Sequence, residues 1–137
     1  MKNNGFTLIE LMVVVIIVAI ITAILVPNYQ NYKRKNDENI ATQALDQIAL
    51  DLEKEKARNF SFEGFSLNTS DRTLPKGKVG DAIKYEVSLT KTIQTWTLMA
   101  CVNDKLSDAS QYTNFAKTHD GRKCEWKGTC VLPEACK

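Results

Sequence analysis

The sequence predicts an α+β fold: one long N-terminal α-helix, apolar in its first half, packed on a C-terminal antiparallel β-meander. Three observations predict it. Residues 6–26 form an apolar run broken by a single formal charge, Glu10. Residues 28–59 carry apolar side chains at helical spacing. From Ile83 onward the pattern changes to alternation, which belongs to half-buried strands.

Composition sets the outer bounds. A chain of 137 residues suits one modest domain plus extra elements. The net charge of +2 directs the chain neither to nucleic acid nor to an acidic partner. The mean hydropathy of −0.25 averages a greasy segment with a polar domain.

The apolar run comes first. A helix of some 20 residues covers about 30 Å, the thickness of a bilayer core. A removable secretory signal is the competing reading. Its apolar core runs about 7–15 residues and ends in small residues. Here the run is longer and ends Leu25-Val26-Pro27-Asn28, so a retained segment is expected. Lys2 precedes the run, and Lys33, Arg34 and Lys35 follow it. Counting positive charges alone would leave the C-terminal side in the cytoplasm. The cysteines argue the reverse. Cys101, Cys124, Cys130 and Cys136 form an even set near the C-terminus, as in small exported domains held by disulfides. The C-terminal domain is therefore expected outside the cytoplasm.

Pro27 removes one helical hydrogen bond and crowds the carbonyl of Ala23. A kinked or locally loosened, but continuous, helix is expected there. Over residues 28–59, Tyr29, Tyr32, Ile40, Ala41, Ala44, Leu45, Ile48, Ala49 and Leu52 supply the apolar positions, with one stripe from Ile40 to Leu52. Asp37, Gln43, Asp46, Lys54 and Lys56 are assigned to the opposite face. Asn59 is the expected stop, with Lys54, Lys56 and Arg58 in the last turns, where cations suit the helix dipole.

Residues 60–80 read as a loop with aromatic anchors at Phe60, Phe62 and Phe65. Ile83, Tyr85, Val87 and Leu89 then alternate with polar residues. Trp96, Leu98, Ala100 and Val102 do the same. Two further strands are expected over 112–118 and 122–127, joined by a type I′ turn at Asp120-Gly121.

Candidate chemistry is sparse. His119, the single histidine, sits in a predicted turn. No Ser/His/Asp or Cys/His set has a plausible base, and no Gly-rich phosphate loop occurs. The chain is therefore expected to be no enzyme and to use no cofactor. A zinc site is disfavoured because Cys124-x5-Cys130-x5-Cys136 lacks the tight Cys-x2-Cys knuckle. Four cysteines allow three disulfide pairings. Cys101–Cys124 with Cys130–Cys136 is the first expectation, and Cys101–Cys130 with Cys124–Cys136 stays open beside it. Arg122, Lys123 and Lys127 near Trp126 would suit nucleic acid, but Asp120, Glu125 and Glu134 dilute that charge, so nucleic acid is disfavoured as a partner. Lys33-Arg34-Lys35 suits either anionic headgroups or solvent.

Glu10 is the residue that demands an explanation. A carboxylate on a membrane-spanning helix costs roughly 3 kcal/mol, and such a residue is a functional hypothesis by default. Gly5-Phe6-Thr7-Leu8-Ile9-Glu10, with a short polar leader before it and the apolar run behind, resembles the class III signal of type IV pilins and related pseudopilins. Residues 28–32 and 50–65 are most similar to minor pilins of the PilE kind.

The resemblance implies a fate for each position. A prepilin peptidase would remove leader residues 1–5 after Gly5 and N-methylate Phe6. Residues 6–27 would cross the bilayer and later pack in a filament core, with Phe6, Glu10 and Pro27 taking part in assembly. Cleavage leaves an amine on Phe6, one helical turn from Glu10. That carboxylate could pair with its own amine or with a neighbour's, and the second pairing would set the register of a polymer. Residues 28–59 would form the amphipathic half of the helix and residues 60–137 the outward domain. The implied partners are other pilin subunits, the peptidase, the inner-membrane assembly machinery and, before assembly, the lipid bilayer. The implied locations are the bacterial inner membrane in a single pass, then a pilus on the cell surface. A secretion-system pseudopilin and a membrane-anchored binding module are the alternatives. One position departs from the pattern. Ala19 stands where pilins often carry glycine, and alanine favours helix by about 1 kcal/mol, so any loosened stretch should shrink to residues 22–26.

Overall fold

The computed structural model describes residues 6–136. The leader and its Gly5 lie outside the described residues. One helix, α1, spans Leu8–Asn59. Five strands follow: β1 Thr73–Leu74, β2 Tyr85–Lys91, β3 Trp96–Val102, β4 Asn114–Thr118 and β5 Lys123–Trp126. The chain divides into two compact units, Met1–Lys35 and Asn36–Lys137.

In the first unit, every residue from Phe6 to Lys33 is exposed. The helical backbone continues through Pro27, so the loosened stretch expected at 22–26 is closed here. The Thr22 hydroxyl donates to the carbonyls of Val18 at 2.9 Å and Ala19 at 3.0 Å. That satisfies its polar group inside an apolar segment.

In the second unit, residues 36–59 of α1 lie on an antiparallel sheet of strand order β1-β2-β3-β4-β5. The predicted stripe is the buried one: Ala41, Ala44, Leu45, Ile48, Ala49 and Leu52. It meets Tyr85, Val87, Trp96, Leu98, Ala100 and Phe115 of the sheet, with Phe62 and Tyr112 from the loops. Alternation on β2 and β3 sends these side chains to the helix and their neighbours outward. Each strand follows its predecessor, so every pairing is a hairpin neighbour and no crossover is needed.

Several local expectations need correction. Asp37, assigned to the polar face, is buried and accepts a 3.1 Å hydrogen bond from the Tyr112 hydroxyl. Phe60 is no anchor: it caps α1 with φ 54° and its side chain is 82% exposed. Residues 73–74 pair with β2 inside the predicted loop; two residues are too few to show alternation. The β4–β5 connection is not type I′. That turn needs two left-handed residues, and only Gly121 is left-handed, at φ 84°. The Gly121 amide donates to the Thr118 carbonyl and the Thr118 amide to the Arg122 carbonyl, which makes a three-residue loop closed by glycine.

The disulfides are Cys101–Cys130 and Cys124–Cys136. The first-expected pairing fails on sheet geometry. Cys124 pairs across β4 with Ala116, and Ala116 with Met99 of β3. Cys124 is therefore two strand spacings from Met99, about 9–10 Å, and Cys101 lies two residues further along β3, so the two cysteines are more than about 10 Å apart, whereas a bridge spans less than about 7 Å between Cα atoms. Each cysteine reaches the C-terminal tail instead, at Cα separations of 5.6 Å and 6.3 Å. The tail shields the outer face of β4, where Asn114, Ala116 and Thr118 are buried.

Candidate functional site

The site with unmatched chemistry is the start of α1. Thr7 and Glu10 stand three apart and form a reciprocal cap. The Glu10 amide donates to Thr7 Oγ1 at 3.3 Å, and Glu10 Oε2 accepts from the Thr7 amide at 3.4 Å and its hydroxyl at 3.3 Å. A helix start leaves its first amides without intrahelical partners, and a Thr-x-x-Glu pair satisfies two of them. The sequence reading passed over Thr7. The Thr-x-x-Glu spacing before an apolar run was the signal that could have found it.

Glu10 is thus already an acceptor in the single chain, and it is exposed. Phe6 is 82% exposed and lies just outside the first turn. Around them stands a wholly unburied apolar surface, with Leu8, Ile9, Leu11, Ile16, Ile20 and Ile24 all more than half exposed. The helix is long and apolar enough to cross a membrane, and its most apolar window has mean hydropathy 3.2 and no burial within the chain. Among the described residues nothing covers this surface, and an exposed apolar patch of this extent marks an interaction site.

Among the described residues no group of three His, Cys, Asp or Glu side chains could hold a metal ion. Every cysteine is bridged, which leaves no thiolate as nucleophile or ligand. An open groove of about 810 Å³ on the sheet's outer face is lined by Glu86, Ser88, Cys101, Asp104, Ser110 and Thr129, among others. It contains hydroxyls and carboxylates but no histidine or lysine.

Charge in the second unit serves the helix–sheet seam. Asp46 on α1 receives Lys117 of β4 at 2.6 Å and Lys123 of β5 at 3.1 Å. The Lys117 hydrogen bond, then that of Lys123, holds its carboxyl below the usual carboxylate range. Asp51 is lowered first by Lys54. The Thr118 hydroxyl and then Arg122 bring Asp120 to about 2.

The comparisons with known proteins agree with this geometry. The family described as the prokaryotic N-terminal methylation motif matches residues 1–26. Prepilin peptidase-dependent protein D of Escherichia coli (strain K12) is 68% identical over 34 residues, covering 25% of this chain and 23% of that protein. Type IV major fimbrial protein FimA of Dichelobacter nodosus is 34% identical over 100 residues, covering 63% of this chain and 64% of that protein. This chain thus spans about a quarter of the first relative and just under two thirds of the second. No solved structure matches it significantly. The methylation motif at its start and the alignment with a fimbrial protein beyond that motif make this chain similar to type IV pilin-like proteins, and its exposed apolar helix and antiparallel sheet accord with that likeness.

Proposed function

We infer that the chain is a structural subunit of a type IV pilus. It is held first in the bacterial inner membrane by α1 and then assembled into a filament through the same helix. A prepilin peptidase cuts after Gly5 and methylates the new terminus at Phe6. One observation carries the reading: a carboxylate, Glu10, on the first turn of a helix whose apolar surface has no cover among the described residues.

Glu10 first caps its own helix through Thr7. The amine released on Phe6 of an adjacent subunit then offers a stronger, charge-assisted partner. A subunit docked one step out of register would leave a charge unpaired among apolar side chains, where that is costly. The bundle therefore has a preferred stagger. Transfer from lipid to a bundle of like helices exposes little apolar surface to water, so assembly does not depend on hydrophobic gain alone.

The second unit faces outward in this reading, which is also what its disulfides favour. It presents surfaces to neighbouring subunits or to an adhesion target, in support of adhesion, twitching motility or DNA uptake. Polymerisation, not catalysis, is its work. The resemblance at residues 28–32 and 50–65 favours a minor subunit, whereas the relative aligned over 100 residues is named a major one; abundance in sheared filaments distinguishes the two. The same alignment, with a protein named fimbrial, favours a pilus over a secretion pseudopilus.

The test is Glu10→Val in cells. The variant should insert in the membrane and lose its leader, yet be absent or strongly depleted from sheared filaments. Incorporation at the wild-type level would refute the pairing.

A further inference from the structure

The membrane-exit end of α1 carries a second patch that filament packing leaves unexplained. Tyr29 is 69% and Tyr32 72% exposed, and Lys33 and Lys35 are exposed beside them. Tyr29 lies three residues from Tyr32 and four from Lys33, so these side chains share one helix face. Lys35 flanks Tyr32 at the same spacing. All belong to the first compact unit.

Depth follows from helical rise. Residues 8–26 cover about 28 Å at 1.5 Å per residue, which fills the hydrocarbon core. If Leu8 and Val26 mark its two edges, Tyr29 stands about 4–5 Å beyond the apolar edge, and Tyr32 and Lys33 about 9–11 Å. That is the headgroup layer, where tyrosine's apolar ring and polar hydroxyl are both accommodated. Two ammonium groups at that depth attract anionic lipid by roughly fivefold each at moderate salt, and the attraction falls off within a Debye length. Arg34 is half-buried and has another engagement, so the assignment rests on the two lysines.

We propose that Tyr29, Tyr32, Lys33 and Lys35 form a binding site for anionic phospholipid headgroups that fixes the depth of the helix before assembly. The inference rests on the membrane-anchored reading above. It adds a lipid preference that a merely apolar span would not have. Lys33 and Lys35 stand on the side that the positive-inside tendency disfavours for lysine, and pairing with lipid phosphate offsets that disadvantage.

The test uses the full chain reconstituted in phosphatidylcholine vesicles containing a small fraction of spin-labelled lipid. Selectivity is read as the ratio of motionally restricted phosphatidylglycerol to phosphatidylcholine. The wild type should prefer phosphatidylglycerol several-fold at low salt, and 0.5 M salt should reduce that preference. Lys33→Gln with Lys35→Gln should bring the ratio close to one, while Lys78→Gln in the other unit should leave it unchanged. An inserted wild type with no preference, or a double variant that keeps it, overturns the proposal and leaves the anchor reading standing. Salt-sensitive self-association in pure phosphatidylcholine, lost in the double variant, assigns the lysines to a second copy and also overturns it. A chain that alkaline carbonate strips from the vesicles overturns both readings.

Discussion

Asn114 shows how much one side chain can organise. It is 1% exposed, accepts from the Val102 amide at 2.9 Å and donates to the Gly128 carbonyl at 3.0 Å. The β3–β4 pairing stops at Ala100–Phe115, so the Val102 amide has no ladder partner and the side chain replaces one. The same amide group fastens the tail. Asn114→Ala leaves the Val102 amide without its partner, and a group so orphaned away from water costs about 1–3 kcal/mol; Gly128 is exposed, so its carbonyl can turn to water. Stability should fall by roughly 1–3 kcal/mol, read by urea unfolding of the full chain in detergent micelles with tryptophan fluorescence. Asn114→Asp is nearly isosteric but should rescue little. It keeps the acceptor for Val102 and turns a second oxygen on the Gly128 carbonyl. A fully stable Asp variant would show that shape, rather than donor identity, holds the position. Thr7 and Glu10 work at the same scale, since a threonine hydroxyl and a carboxylate close the start of α1.

The element that joins the sheet to its helix was legible only in part. The stripe from Ala41 to Leu52 and the alternation in β2 and β3 follow from periods of 3.6 and 2, and the core residues are those the periods select. Polar positions on the same elements were not legible. Asp37 and Asp46 look solvent-facing by period alone, yet Tyr112 is 75 residues from Asp37 and Lys117 is 71 from Asp46. Period says which way a side chain points on its own element; it cannot say which distant group arrives there. Thr7 was missed although its signal was local. The Asp46 seam has a pH signature. Its carboxyl is lowered from 3.8 in the folded chain, so its contribution is fully present above that unfolded value. It is lost as pH falls through the lower folded one. Stability should therefore drop on acidification below about pH 4, and Asp46→Asn should flatten part of that drop. The pair is partly exposed, so the difference should stay within about 1 kcal/mol after screening. Near-ultraviolet circular dichroism from pH 6 to pH 2.5 measures it. A remaining slope is expected from Asp120, which is also lowered. An identical acid slope in the Asp46→Asn variant would remove the seam's role.

At the scale of the whole molecule, the proposed function gives the two units two different solvents, and their stabilities should then be separable. The segment around residues 8–26 is rich in Val and Ile, which are mediocre helix formers in water. In hydrocarbon, a helix is the one local form that satisfies its own backbone, so lipid or a bundle of like helices stabilises this unit. The second unit has a small sheet whose outer face would be wet without its tail. Its bridges interleave: Cys101–Cys130 closes a separation of 29 and Cys124–Cys136 one of 12. In the loop-entropy account each adds about 2–4 kcal/mol, and the longer one about 0.8 kcal/mol more. Cys124→Ser with Cys136→Ser should lower the unfolding free energy by that amount and speed proteolysis after residue 122, where the tail loses its hold on β5. Cys101→Ser with Cys130→Ser should be slightly worse. Neither change touches residues 8–26, so both variants should resist carbonate extraction from membranes as the wild type does. If either bridge variant left the membrane, anchoring would depend on the fold of the outward unit. The apolar helix could then no longer be treated as a self-sufficient anchor.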